Sequence, residues 1–393
     1  MEKGKTMRTP EKIAEECELI ALDDRLGAVT RWREETGGHA AGHLPVYTPR
    51  EVIDAAGMLP VGIVGSGEME IIRGDAYFQS YICHLPRSVV EMGLTGRLDG
   101  LDAMVFPATC DVIRNLSGMW KLLFPEKLVH YLDVPHNHDP EVGGKFYAGE
   151  LRRLAHDLSK ISGVEVTDDR LHAAIERRNE SRRLMRKLFD LRSDTPEKVP
   201  TAELYVLMRA GFQMPQAAHD ALVREYYEAA LASSRPEFDN ARVIVTGSFC
   251  EQPPIGLIRT LEKAGCYIVD DDLLLGAHFI LDDLPLDGDP FQTLAESWFY
   301  HSRSTPSRFV PDEVKGEYLV QLTRKRNAEG VIFAAPSFCD PALLEQPMLQ
   351  AALDRAGIDH TAFKYAENNG QFHPILEQAG TFTDSIKLWS EAS

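Results

Sequence analysis

Two stretches decide how this chain folds: Val105-Phe106-Pro107-Ala108-Thr109-Cys110-Asp111 and Phe333-Ala334-Ala335-Pro336-Ser337-Phe338-Cys339-Asp340. Each passes from an apolar strand pattern through proline and two residues to cysteine and aspartate. A third, Val245-Thr246-Gly247-Ser248-Phe249-Cys250-Glu251, also runs from strand to cysteine to acid, without the proline. Short apolar runs bounded by turns, alternating with helical patterns, read as βαβ units and a parallel sheet. In such sheets ligands bind just past the carboxyl ends of the strands. Cys110, Cys250 and Cys339 are therefore expected on one rim, brought there from distant parts of the sequence.

Working outward, Val61-Gly62-Ile63-Val64, Ala103 to Phe106 and Leu128 to Leu132 read as strands, with helices near Arg50 to Ala56 and Pro86 to Met92. A second alternating region has strands at Val243 to Val245, Tyr267 to Val269, Gly330 to Phe333 and Thr361 to Phe363. Helices fall at Pro254 to Ala264 and Asp384 to Trp389. Between the two regions, Leu171, Ile175, Leu184, Leu188 and Leu191 recur at near-helical intervals, and Thr167 before Asp168 and Asp169 makes a helix start. Ahead of them, Ile13, Cys17, Ile20 and Leu26 lie roughly on one stripe of a helix-prone, charged segment. The fold class is α/β, with two Rossmann-like, mainly parallel domains around a helical segment. The expected divisions are an N-terminal helical segment (1–40), a first α/β domain (41–145), the helical segment (146–240) and a second α/β domain (241–393).

The 393 residues carry 42 Lys+Arg against 60 Asp+Glu, a net charge of −18. This disfavours nucleic acid, since no long basic run offsets the repulsion of a phosphate backbone. The apolar runs are too short to cross a bilayer, and acids rather than an apolar stretch follow Met1-Glu2-Lys3-Gly4-Lys5. A cytoplasmic protein is expected. Its six cysteines are too few for a disulfide scaffold, and none is spaced as CxxC.

Cys83 precedes a helix, where the dipole and unpaired amides favour a thiolate, and makes a fourth candidate ligand. Cys17, on an apolar helical stripe, and Cys266, at the start of a strand, read as buried core thiols. Several thiolates without a histidine at matching spacing point to a soft metal site, iron-sulfur in preference to magnesium or manganese. Three thiolates on a cubane would leave one iron open for chemistry.

Further segments surround these cysteines: Gly74-Asp75-Ala76-Tyr77-Phe78-Gln79-Ser80-Tyr81-Ile82-Cys83, Cys110 through Trp120, Gly247 through Pro254, Cys266 through Asp272 and Phe333 through Pro341. Together with Lys364 to Asn368 and Gln378 to Phe382, they resemble the benzoyl-CoA reductase and 2-hydroxyacyl-CoA dehydratase family. The resemblance runs over most of the chain. It implies a 4Fe-4S cluster, or in some relatives a double cubane of the 8Fe-9S type, next to an acyl-CoA site. The family's ligands match Cys83, Cys110 and Cys339, and Cys250 would be an additional ligand of this branch.

The resemblance also implies a heteromeric enzyme with a homologous B-type sister subunit, ATPase subunits that activate electrons, and ferredoxin as donor. The reaction implied is a two-electron reduction of the benzoyl-CoA ring to a cyclic dienoyl-CoA. Dehydration of a 2-hydroxyacyl-CoA on the same fold, or a non-catalytic cluster-carrying scaffold, are the alternatives. The chain has no G-x-x-x-x-G-K-[ST], so ATP is expected to bind elsewhere.

Glu251 and His84, each adjacent to a candidate ligand, are the nearest proton donors by sequence, although Glu251 also suits a helix start. Asp270-Asp271-Asp272 reads as a solvated loop or cap in preference to a metal or CoA contact. Gly65 to Gly67 reads as an ordinary turn, and His136 and His138 as surface or subunit contacts.

Overall fold

The computed structural model describes residues 8–65, 69–249, 253–308, 310, 313–366 and 372–390, with 389 and 390 described as backbone only. Helices α1 (Pro10–Ala21) and α2 (Gly27–Thr36) lead into the first α/β unit. Its strands are β1 (Ala40–His43), β2 (Leu59–Gly62), β3 (Ala103–Pro107) and β4 (Leu128–Leu132), joined by α3 (Arg50–Ala55), α4 (His84–Leu94) and α5 (Asp111–Leu123). A helical layer follows: α6 (Lys145–Ser162), α7 (Asp168–Asp194), α8 (Thr201–Ala210) and α9 (Gln216–Ala232). The second unit runs β5 (Ala241–Thr246), α10 (Ile255–Lys263), β6 (Cys266–Asp271), α11 (Leu275–His278), α12 (Pro290–Tyr300) and α13 (Glu317–Lys325). It closes with β7 (Gly330–Pro336), α14 (Asp340–Ala356), β8 (Asp359–Tyr365) and α15 (His373–Ser390).

Both sheets are parallel throughout and share one strand order, β2-β1-β3-β4 and β6-β5-β7-β8. The winding direction reverses between β1 and β3 in one and between β5 and β7 in the other. A crevice opens at each such switch point, where connections leave the sheet in opposite directions. Strands β3 and β7 are buried along their whole length, as runs without polar alternation require.

Strand β1 goes beyond the sequence reading. Ala40-Ala41-Gly42-His43 has no β-branched or aromatic residue to signal a strand, yet all four residues are buried in the middle of the sheet. Small size is the requirement there: a Cβ on Gly42 would stand 2.3 Å from Met104 Sδ and 2.7 Å from Leu101 Cδ1.

The helix-prone N-terminus also divides. Leu26 takes a left-handed φ of 53°, and the Asp23 carboxylate accepts the N–H groups of Arg25 and Gly27, so a new helix starts instead of the old one continuing. Ile13 and Cys17 on α1 join the core that contains α8, α9 and the first residues of β5 and β6. Leu26 and Val29 pack instead into the core between β2, β3 and α4. The two α/β units meet at Gly276, where a Cβ would fall 2.8 Å from the Pro45 backbone. Among the described residues, no helix is long and apolar enough to cross a membrane.

Candidate functional site

Three of the four candidate cysteines occupy the same structural position: Cys83, Cys110 and Cys339 are the N-cap residues of α4, α5 and α14. An N-cap faces amides that have no partner within the helix, and the helix dipole adds positive potential, so a sulfur there is favoured as thiolate. Cys110 and Cys339 stand directly after β3 and β7, each at its sheet's switch point. Burial pushes the Cys110 thiol up, the amides of Ile113 and Val112 oppose this, and Cys339, from the other sheet, pushes it up further. The two thiols are thus near enough to feel each other's charge. Cys83 and Cys339 are buried and Cys110 is half-buried.

The turns themselves are built by hydrogen bonds. Beyond β3, the N–H of Ala108 donates to the Leu132 carbonyl at 2.9 Å and that of Thr109 to Pro107 at 2.7 Å. Beyond β7, the N–H of Ser337 donates to the Tyr365 carbonyl at 2.7 Å and that of Cys339 to Pro336 at 3.1 Å. Phe338, between them, has φ 68° with an aromatic side chain, a strained conformation of the kind that clusters at functional sites.

Cys250 and Glu251 lie outside the described residues, but the loop leading to them is held firmly. Gly247 has φ 114°, and a Cβ there would stand 3.1 Å from the Ala334 carbonyl oxygen, so glycine is required. The Ser248 hydroxyl donates to that same carbonyl at 2.7 Å. The Asp272 carboxylate accepts the Thr246 hydroxyl at 2.9 Å and the N–H groups of Gly247 and Ser248 at 2.7 and 3.1 Å. Burial nevertheless pushes Asp272 up to about 6.

The rest of the acidic run departs from the expected solvated loop. Asp270 and Asp271 are buried on β6: Asp270 binds Arg303 at 2.7 Å and Arg326 at 2.9 Å, and Asp271 pairs with Arg192. Burial opposes the Asp270 charge, but the guanidiniums of Arg303, Arg192 and Arg326 hold it well below the usual carboxylate range. A single sequence could not distinguish this network from a solvated cap, since its arginines lie tens of residues away.

A comparable device organises the approach to Cys83. Glu91 of α4 accepts the N–H groups of Ile72, Arg73 and Gly74 at 3.0, 2.6 and 2.8 Å. A Cβ on Gly74 would meet the Arg87 carbonyl oxygen at 2.2 Å. His84 is the first residue of α4 and is buried. Cys17 and Cys266 are sealed in an apolar core, where burial pushes both thiols up to about 12. His136 is exposed, and His138 stands edge-on to Phe299 with centroids 5.6 Å apart. Gly65 has a left-handed φ of 71°, as a turn demands, while residues 66–68 lie outside the described residues.

Soft thiols from two sheets, two of them mutually close and all at helix N-termini, have the donor chemistry of a thiolate-held iron-sulfur cluster. Among the described residues, no three His, Cys, Asp or Glu side chains stand close enough to hold one metal ion. A cubane bonds its thiolates to separate irons and so calls for a wider set than a single ion does.

The chain is similar to known proteins along most of its length. A family model described as 2-hydroxyglutaryl-CoA dehydratase, D-component, matches residues 45–386. A benzoyl-CoA reductase subunit from Thauera aromatica, the one designated C, is 50% identical over 98% of this chain and 100% of its own length. The (R)-phenyllactyl-CoA dehydratase beta subunit of Clostridium sporogenes is 31% identical over 84% of the chain and 87% of its own length. The (R)-2-hydroxyglutaryl-CoA dehydratase beta subunit of Acidaminococcus fermentans is 28% identical over 89% and 93%.

Proposed function

Because the chain belongs to the 2-hydroxyglutaryl-CoA dehydratase D-component family, we propose that it is the cluster-bearing C-type subunit of a benzoyl-CoA reductase. The observation that carries this reading is 50% identity to such a subunit along the whole of both chains. The reaction adds two electrons and two protons to the aromatic ring of benzoyl-CoA, giving cyclohexa-1,5-diene-1-carbonyl-CoA. Ferredoxin supplies the electrons, and ATP is hydrolysed in partner subunits beyond a homologous B-type sister chain.

Cys83, Cys110 and Cys339 would hold the cluster, with Cys250 as a further ligand. When bound, a cluster on such thiolates supplies single electrons at low potential and an iron position open to substrate. The chain's own residues prepare that site. The helix N-termini at Cys83, Cys110 and Cys339 lend each sulfur amide and dipole stabilisation as thiolate, against the burial that pushes Cys110 up, and the left-handed turn at Phe338 aims Cys339. Asp272 and Glu91 hold the loops that lead to Cys250 and Cys83. In this reading protons reach the ring from the buried His84 and from Glu251.

Anaerobic purification with the sister subunit should give a brown protein that contains iron and sulfide and consumes benzoyl-CoA when ferredoxin and the ATPase subunits are supplied. A colourless, iron-free complex would sink the reading. The 31% and 28% identities to dehydratase beta subunits favour one alternative, 2-hydroxyacyl-CoA dehydration. Turnover of a 2-hydroxyacyl-CoA but not of benzoyl-CoA by the same preparation would select it.

A further inference from the structure

Where the first sheet, the helical layer and the second unit meet, a cleft opens to solvent. Part of its lining is aromatic. Trp298 stands edge-on to Tyr47 and Tyr147, with centroids 4.7 and 5.8 Å away, and Phe279 lies 5.6 Å from it. Another part is cationic, with Arg50, Arg178 and Arg182. Two of these three guanidiniums are neutralised within the protein: Arg178 binds Asp54 at 2.6 Å and Arg182 pairs with Glu51.

Arg50 makes no hydrogen bond or ion pair among the described residues and lies over the Phe212 ring, 6.0 Å from its centroid. Burial and the neighbouring Arg178 guanidinium push Arg50 down to about 9, which leaves it charged at neutral pH in surroundings that penalise the charge. Glu51 and Asp54 oppose that shift without pairing with Arg50 directly, so its fork is left open, and arginine's planar fork matches a carboxylate.

We propose that this cleft binds a small monocarboxylate with an apolar body, its carboxylate on Arg50 and its body against Trp298 and Phe279. The charge follows from Arg50 alone, the lining guanidinium without a direct carboxylate partner among the described residues; the lining carboxylate Asp220 already accepts the Ser181 hydroxyl. The hydroxyls around it are committed, Thr48 to the Leu44 carbonyl, Ser181 to Asp220 and Ser297 to the Leu294 carbonyl. A phosphate dianion would find neither a second unpaired cation nor an uncommitted hydroxyl. The aromatic lining selects against acetate, which has nothing to bury there. The inference rests on the cleft alone and is independent of the reductase reading, since neither iron nor acyl-CoA turnover enters its test.

Benzoate titrated into the full-length protein, followed by calorimetry and tryptophan fluorescence, should bind saturably. Benzamide, which lacks the charge, and acetate, which lacks the body, should each bind about tenfold more weakly or worse. Arg50→Gln should lose at least that factor for benzoate, with Arg50→Lys recovering part of it. Trp298→Phe should remove the fluorescence change while calorimetry still registers binding. If Arg50→Gln does not fold, the ligand series on the unaltered protein decides. Equal affinity for benzoate and benzamide, tighter binding of inorganic phosphate than of benzoate, or no saturable benzoate binding would each overturn the proposal.

Discussion

The turns that present Cys110 and Cys339 share a spacing and differ in backbone. Both read proline, two residues, cysteine, aspartate, and both follow a fully buried strand. After β3 the chain stays in ordinary conformations and reaches Cys110 fully extended, with φ −161° and ψ 172°. After β7 it turns through a left-handed Phe338 and arrives at Cys339 with φ −86° and ψ 84°. Cys110 is left half-buried and Cys339 is enclosed. A sequence pattern of this kind specifies where a cysteine stands along the chain, whereas the packing of each sheet's neighbours decides how the backbone gets it there. The strained turn belongs to the sheet that also carries the buried acid network.

The sharpest way to break the comparison is to remove each sulfur in turn. Cys110→Ala and Cys339→Ala should each abolish iron loading and turnover while far-UV circular dichroism is retained. Full iron content in either variant would remove that cysteine from the ligand set.

Next in size is acid stability. Each sheet has a fully buried histidine near its strand ends, His43 on β1 and His278 beyond β6, and burial, with Arg50 or Arg303 nearby, pushes both down to about 3. In the unfolded chain they titrate near 6.5, so between those values the unfolded state binds more protons. Each histidine should therefore lower stability as pH drops below about 6.5, by up to roughly 1.4 kcal/mol per pH unit, while the raised carboxyls of Asp272 and Glu262, which gain protons more readily folded than unfolded, act in the opposite sense. Urea midpoints from pH 7 to pH 4.5 measure this, and His43→Asn or His278→Asn should each flatten the slope by its share. A pH slope left unchanged by both substitutions contradicts it.

Asp270→Ala should cost about 3 kcal/mol at pH 7, because it strands Arg303 and Arg326 without their buried partner. An unchanged urea midpoint would show that the network contributes little.

Smaller still, Phe338→Gly relieves the left-handed strain and should raise stability by about 1 kcal/mol. Thr109→Gly, at the equivalent place in the unstrained turn, should lower it by a similar amount. Equal effects at the two positions would mean the turns do not differ energetically.

Much of the fold was legible because buried parallel strands are continuous apolar runs: Ala103–Pro107 and Gly330–Pro336 announce themselves. β1 did not, since its central residue must be glycine to pass Met104, and that constraint comes from across the sheet. The N-cap positions of Cys83, Cys110 and Cys339 could be anticipated from strand and helix patterns. The buried pairing of Asp270 with Arg303 and Arg326, and the cleft around Arg50, could not. Each assembles residues that are far apart in the chain, and nothing in the local sequence of any one of them records the others.

The placement of α1 bears on how the chain is made. Its ion pairs reach Glu225 from Arg8, Arg235 from Glu11 and Arg259 from Glu18, and its apolar stripe is buried with β5 and β6. During synthesis the first helix therefore emerges long before any of its partners, while the first sheet, with all its strands between residues 40 and 132, can close behind it. Domains generally fold as units from the N-terminus, and contacts of long sequence separation form late. Nascent chains stalled before α8, at about residue 200, should leave α1 open to protease, and chains extended past β6 should protect it. The opening segment of the polypeptide is thus among the last to settle, fastening the second sheet only after the first has formed.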